Sequence, residues 1–258
     1  MILHATQFGS GQPLLILHGF LGMSDNWKTF AKNISNSGFE VHLIDQRNHG
    51  KSFHSSEFSY DLMADDLERY AVHMGLNKFH LLGHSMGGKT AMFYAGKYSN
   101  RVEKLVIADI APKYYPPHHQ KILKGLTALD FDAISSRKQA DTELQSYISE
   151  VGVRQFLLKN LYWKTKNSLG LRSNISVLSQ KAEAVGEAIP SSYFFEGSAL
   201  FLKGENSDYI TDADSIHLKQ HFPNATIQTI QNAGHWLHAE NPVQFYEKTY
   251  HFLIKKEK

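Results

Sequence analysis

The stretch GHSMGGKT, Gly83 to Thr90, fits two unrelated motifs at once. As G-x-S-x-G, with Gly83, Ser85 and Gly87, it reads as the sharp strand-to-helix turn that presents a reactive serine. As G-x-x-x-x-G-K-[ST], with Gly83, Gly88, Lys89 and Thr90, it reads as a phosphate-cradling loop. On that second reading LVIAD, ending at Asp109, supplies the apolar strand and the carboxylate for a magnesium ion. Both readings want a strand before and a helix after. The flanking sequence has to choose between them.

Working outward, short β-rich runs alternate with helical patterns. ILHATQF, PLLILHG, FEVHLID, KFHLLG and VEKLVIAD read as strands. Between them YDLMADDLERYAVHMGL carries Leu62, Leu67, Tyr70, Ala71 and Met74 at helical spacing, with Gly75 as its stop signal. MGGKTAMFYAGKYS reads as a small-residue helix suited to close packing. Such alternation implies a mostly parallel central sheet flanked by helices and joined by right-handed crossovers.

The rhythm changes over 113–190, where no strand is evident and helices are expected around 120–129, 141–161 and 176–188. This segment is expected to form a helical cap inserted in a core made of 1–112 and 191–258. The alternation then resumes with SALFLKG, DADSIHLKQHF, ATIQTI, the turn QNAGH and a last helix. Asn241 is the expected N-cap of that helix, with Pro242 at its first position.

Composition narrows the function classes. The 258 residues carry a formal net charge of +2, 20% charged and 42% hydrophobic residues, and no cysteine. That balance suits one large domain with a substantial core. It lacks the basic footprint of a nucleic-acid binder. Disulfides, cysteine zinc sites and a thiol nucleophile are excluded. The longest early apolar run, LLIL, is far too short to span a membrane, and MILHATQFGS has neither the basic nor the apolar region of a secretory signal. A cytoplasmic location, no membrane or nucleic-acid partner, and a monomer or small homo-oligomer are expected.

Two further motifs are left without a role by the phosphate-loop reading. LHGFLG ends an early strand, where a hydrolase needs a backbone donor for a developing oxyanion. Phe20 is the expected donor there and Met86, after the serine, the second. AGHWLHAENP follows the last strand, and His235 in it is well placed as a general base, with His238 more suited to packing. For the acid, two strand ends compete. Asp109 closes the strand beside the serine strand. Asp208 in GENSDY lies one residue beyond the Gly-x-x-Asp position, which Ser207 occupies. On this reading Lys89 and Thr90 become ordinary helix residues, with Lys89 on the helix surface.

Taken together, HGFLG, GHSMGG and GHWLHAENP resemble the α/β-hydrolase family over essentially the whole chain. DQRNHGKS, LVIADIAP, GVRQFLLKN and GENSDY extend the similarity to the YbfF-like serine esterases. The resemblance implies an α/β-hydrolase fold with its cap after the sixth strand of that fold, and it points to Asp109 as the acid. It also implies a carboxylesterase that forms an acyl-enzyme on Ser85 with no metal or organic cofactor. Short acyl esters are the expected substrates, and acyl-CoA or other thioesters the alternative. The rival classes are a P-loop NTPase and a non-catalytic binding member of the fold. Substrate selection is expected in the cap, from aromatic residues among Tyr114, Tyr115, Phe156, Tyr162, Trp163, Phe194 and Phe195, and beside the serine from His84.

Overall fold

The computed structural model describes residues 1–166 and 168–255. Its core alternates β1 (Ala5–Phe8), β2 (Gln12–Leu17), α1 (Lys28–Ser35), β3 (Phe39–Ile44), α2 (Tyr60–His73), β4 (Phe79–His84), α3 (Met86–Lys97) and β5 (Val102–Ala108). An inserted segment follows: α4 (Gln120–Thr127), α5 (Arg137–Gln145), α6 (Val151–Leu158), β6 (Leu161–Thr165), β7 (Ser168–Leu171) and α7 (Ile175–Gln180). The core resumes with β8 (Ala199–Gly204), α8 (Asp214–His221), β9 (Ala225–Ile230), α9 (Leu237–Glu240) and α10 (Pro242–Ile254).

Seven strands form one sheet in the order β1-β3-β2-β4-β5-β8-β9. All neighbours are parallel except the β1–β3 edge pair. Every residue of β4 is buried, as a strand covered on both faces requires. Its side chains alternate between two apolar layers. Leu81 joins Tyr70, Ala91 and Ala95 from α2 and α3. Leu82 joins Phe30, Ile34 and Phe245 from α1 and α10. The register aligns the carboxyl ends: Leu17 is opposite Ile44 and Gly83, Gly83 opposite Ile107, and Ala108 opposite Leu202. The loops after β2, β4, β5, β8 and β9 therefore open at one end of the sheet, where ligand sites of such sheets lie.

The inserted segment leaves the sheet after β5 and departs from the sequence expectation in two ways. The single helix expected over 141–161 is two, broken between Gln145 and Val151. Beyond them Leu161–Thr165 and Ser168–Leu171 pair as an antiparallel hairpin where no strand was evident. Tyr162, Trp163 and Thr165 have the aromatic and branched side chains that suit a pleated surface, and that preference outweighs the weak helical periodicity. The N-terminus of α10 is as expected, with Asn241 Oδ1 accepting from Gln244 N at 3.2 Å and Pro242 in the first turn.

Lys89 also departs from expectation. It is fully buried, and its Nζ donates to the carbonyls of Lys113 and Glu187, both at 2.5 Å. Those two residues stand at the opposite ends of the inserted segment. Beside them Ile189 N donates to Pro112 O at 2.8 Å and Tyr115 N to Gly186 O at 2.8 Å. The ammonium thus fastens both ends of the insertion to α3.

Burial lowers the Lys89 ammonium from 10.5 to about 7. Between those values the unfolded chain binds the extra proton. Lys89 therefore contributes stability that rises as pH increases through this window. Lys89→Met leaves two buried carbonyls without their donor, at a cost of about 2 kcal/mol or more. Thermal melts at several pH values are expected to show a lower Tm and the loss of that rise, with proteolysis of the folded variant starting at 111–115 or 186–190.

Candidate active site

The site starts from a steric demand at the turn between β4 and α3. Ser85 has φ 52° and ψ −118°, a conformation that a side-chain-bearing residue adopts only under constraint. A Cβ on Gly83 would lie 2.2 Å from Gly87 O, and one on Gly87 would lie 2.4 Å from Leu17 O and 2.5 Å from His18 O. These two glycines let α3 run hard against the ends of β2 and β4. The serine is thereby pushed up at the apex, partly exposed, one residue before the helix starts.

Three side chains from three strand ends meet there. His235, after β9, places Nε2 3.0 Å from Ser85 Oγ and donates from Nδ1 to Asp109 Oδ2 at 2.8 Å. Asp109 stands immediately after β5, fully buried and at φ 53°. Its Oδ1 accepts from Gly204 N at 3.0 Å, and its Oδ2 also accepts from the Ser207 hydroxyl. The buried carboxylate is thus met by a backbone amide, a hydroxyl and an imidazole. Asp208, the alternative acid, is exposed and has no bond to His235. Ser207, at the Gly-x-x-Asp position, reaches Asp109 instead.

The loop after β2 is braced from beneath. His18 Nε2 accepts from Gln46 N at 3.1 Å, and Gln46 Nε2 donates to His18 O at 2.7 Å. Leu21 N donates to His49 Nε2 at 3.2 Å, and Leu21 O accepts from Asn160 Nδ2 at 2.7 Å. Gly22 N donates to Gly19 O and Ser85 N to Ala108 O. These commitments surround the amides of Phe20 and Met86, the two expected oxyanion donors. Met86 opens α3, whose first amides have no partner within the helix.

A cavity of about 70 Å³ opens over Ser85, lined by Phe20, Trp27, His84, Ile122, Val153, Phe156, Leu157, Trp236 and neighbouring residues. A smaller one of about 20 Å³ also borders Ser85, against Met86, Tyr115, Pro116, Pro117, Val185 and Tyr209. His119 borders both. His84 donates from Nε2 to His235 O at 2.8 Å, and His238 stacks on Trp27 with ring centroids 4.0 Å apart. Burial pushes His49, His119 and His238 down to about 3 and holds His84 well below the ordinary histidine range. These rings are neutral, so the cavities gain no cation from them. Among the described residues no cluster of side chains suited to a metal ion is found.

Two expected substrate contacts are not brought here. Tyr162 and Trp163 lie on the β6 hairpin away from both cavities, Trp163 exposed and Tyr162 beneath the Arg172 guanidinium at 4.7 Å. Phe156 of α6 lines the large cavity instead and meets Trp236 at 5.6 Å between ring centroids. The phosphate-loop reading also lacks its lysine, since Lys89 Nζ is committed to Lys113 O and Glu187 O. Thr90 is buried too, donating to Gln46 Oε1 at 2.7 Å.

Residues 12–242 match the alpha/beta hydrolase fold family. The chain belongs to that family. It is 35% identical over 239 residues to Esterase YbfF of Escherichia coli, covering 90% of this chain and 89% of that protein. It is 36% identical over 247 residues to the sn-1-specific diacylglycerol lipase ABHD11 of Mus musculus, covering 93% and 80%. A solved structure titled Marine microorganism esterase superposes with a TM-score of 0.94 at 41% identity, covering 97% of this chain and 99% of that one. The protein is therefore an esterase- and lipase-type α/β hydrolase, similar to the YbfF-like esterases.

The structure gives the stretches DQRNHGKS, GVRQFLLKN and GENSDY their physical work. His49 in DQRNHGKS and Asn160 in GVRQFLLKN both hold Leu21. Ser207 and Tyr209 in GENSDY contact Asp109 and His235. Sequence spacing assigned none of these four residues a role. The elbow itself gives a direct test. Overpacking of the kind a methyl at Gly87 would cause costs about 1–3 kcal/mol. Gly87→Ala is expected to melt about 3–10 °C lower, and calorimetry beside an exposed control such as Gly152→Ala, whose added Cβ meets nothing within 4 Å, checks it.

Proposed function

We propose that the protein is a carboxylesterase that cleaves short-chain, uncharged esters through an acyl-enzyme on Ser85. The observation that carries this reading is the continuous chain from Asp109 through His235 to Ser85, with contacts of 2.8 and 3.0 Å. Ser85 Oγ attacks the ester carbonyl as its proton passes to His235 Nε2. Asp109 holds the imidazole by Nδ1 in the tautomer that can accept, and stabilises the imidazolium. The amides of Phe20 and Met86 receive the oxyanion, and the N-terminal dipole of α3 adds to their field. His235 then returns its proton to the departing alcohol. Water activated by the same imidazole attacks the acyl carbonyl and releases the acid and Ser85.

The cavities support the substrate class. Neither is lined by an aspartate, glutamate, lysine or arginine, so neither compensates the desolvation of a charged group. For acyl-CoA the same lining gives the phosphates no partner near Ser85, and simple esters are favoured over it. Phe156 and Trp236 stand at the large cavity, and we assign the limit on acyl length to this pair. The inserted segment acts as the cap in this reading, because α6 brings Phe156 over the serine.

Three measurements test the proposal. A fluorophosphonate probe is expected to label the wild type and not Ser85→Ala, which should lose p-nitrophenyl butyrate hydrolysis by about three orders of magnitude or more. Persistent labelling of Ser85→Ala would refute the assignment. Asp109→Asn is expected to lower kcat at least about a hundredfold, and Asp208→Asn to stay near wild type; the opposite ranking would move the acid to Asp208. On a series of p-nitrophenyl esters, Phe156→Ala is expected to raise the preferred acyl length, whereas Trp163→Ala should leave the ranking unchanged.

A further inference from the structure

One aromatic ring at this site remains unexplained by the scheme above. Tyr209 lies almost parallel on the His235 imidazole, with ring centroids 3.9 Å apart and planes at 15°. It is half-buried, so its place is not that of an ordinary core side chain. Every polar group of Tyr209 is tied. Its amide donates to Ser207 Oγ at 3.3 Å, and its carbonyl accepts from the Tyr115 hydroxyl at 2.5 Å. Its own hydroxyl lies 2.6 Å from His118 Nε2. Because His118 Nδ1 donates to Pro116 O at 3.0 Å, Nε2 is the acceptor and the tyrosine donates. These ties come from the turn after β8 and from the start of the inserted segment. They leave the ring no freedom to slide off the imidazole.

We propose that Tyr209 is a catalytic residue, its ring face stabilising the imidazolium that His235 becomes when it takes the Ser85 proton. This rests on the acyl-transfer reading and adds a component to it. As the bond from Ser85 Oγ to the carbonyl carbon forms, the O–H proton moves to Nε2 and the ring gains a full positive charge. The electron-rich face of an aromatic ring within about 6 Å attracts such a cation, most strongly where water is excluded. The charge disappears when the proton leaves with the alcohol, so the contact strengthens in the transition state and relaxes afterwards. Such a differential interaction raises kcat, whereas uniform binding would act on KM.

The surroundings give this contact weight. Asp109, Ser85, His84, His119, His238 and Tyr209 are the titratable or reacting groups that face the imidazole. His84 stands on its other side, 4.8 Å between centroids and tilted by 41°. Burial keeps His84, His119 and His238 neutral and pushes the Tyr209 hydroxyl up to about 12. Asp109 is therefore the only full charge among them. Its carboxylate acts in the imidazole plane through Nδ1, and Tyr209 acts on the face. The two contributions are geometrically separate and can be removed separately.

The test uses the full chain with p-nitrophenyl butyrate and an NMR titration of the His235 Cε1–H, assigned by its absence in His235→Gln. Tyr209→Leu is expected to lower kcat about tenfold, to leave KM within about threefold, and to move the His235 midpoint down by about half to one pH unit. The direction follows because removing the π face disfavours the cation. Tyr209→Phe keeps the ring and is expected to recover most of both values. Should Tyr209→Leu fold poorly, phenylalanines carrying one to three ring fluorines, placed at 209, weaken the face without changing its shape. Stepwise falls in kcat and midpoint are then expected. An unmoved midpoint and kcat across that series would overturn the proposal, as would Tyr209→Phe losing as much as Tyr209→Leu, which would assign the effect to the bond with His118. If wild type neither cleaves ester nor labels at Ser85, the acyl-transfer reading fails. The catalytic role of Tyr209 fails with it, whatever the titration shows.

Discussion

The closeness of α3 to the ends of β2 and β4 is the constraint from which the site follows. Only residues without a Cβ fit at Gly83 and Gly87, where carbonyl oxygens would stand 2.2–2.5 Å from an added methyl. This contact forces Ser85 into its positive-φ conformation and sets the first amides of α3 beside the loop after β2. The same crowding aligns β4 with β5, so that Asp109 emerges one residue beyond the position opposite His84. Ser85 and Asp109 thus come from adjacent strands. Only His235 has to be carried in from the far edge of the sheet.

The electrostatics are economical in a comparable way. Several histidines crowd the two cavities, yet burial keeps His84, His119 and His238 uncharged. They serve as neutral donors and packing surfaces: His84 holds the His235 carbonyl and His238 lies on Trp27. Charge is concentrated in the buried Asp109 carboxylate, and a low-dielectric setting makes its field effective at short range. In the proposed mechanism the positive charge appears on His235, when it takes the Ser85 proton.

How much of this was readable in the sequence depended on whether a feature is local. The strand–turn–helix at Ser85, the Asn241–Pro242 helix start and the parallel alternation are encoded by neighbouring residues, and each stands where the residues point. Asp109 and Asp208 stayed in competition in the sequence, with Asp109 favoured because a strand end fixes a direction and a one-residue offset changes it. Contacts between distant segments had no such signature. Lys89 looked like a surface residue because a helical wheel does not show that carbonyls from 113 and 187 converge on it. Tyr162 and Trp163 looked like cavity residues because aromatics are common both there and on exposed hairpins, and the hairpin was hidden by weak periodicity. Tyr209 lies within GENSDY, but stacking on a ring from another loop leaves no spacing to read.

The paired bonds at the foot of the insertion have a topological consequence. With Ile189 N on Pro112 O and Tyr115 N on Gly186 O, the polypeptide leaves and re-enters the sheet through adjacent points, like the two ends of a stitched loop. The entropy of closing such a loop grows only with the logarithm of its length. Lengthening or shortening what lies between these points therefore costs the core little. The region over the serine can diverge in size and sequence while the sheet beneath keeps its register. Variation in what the enzyme admits is in this way uncoupled from the geometry with which it reacts.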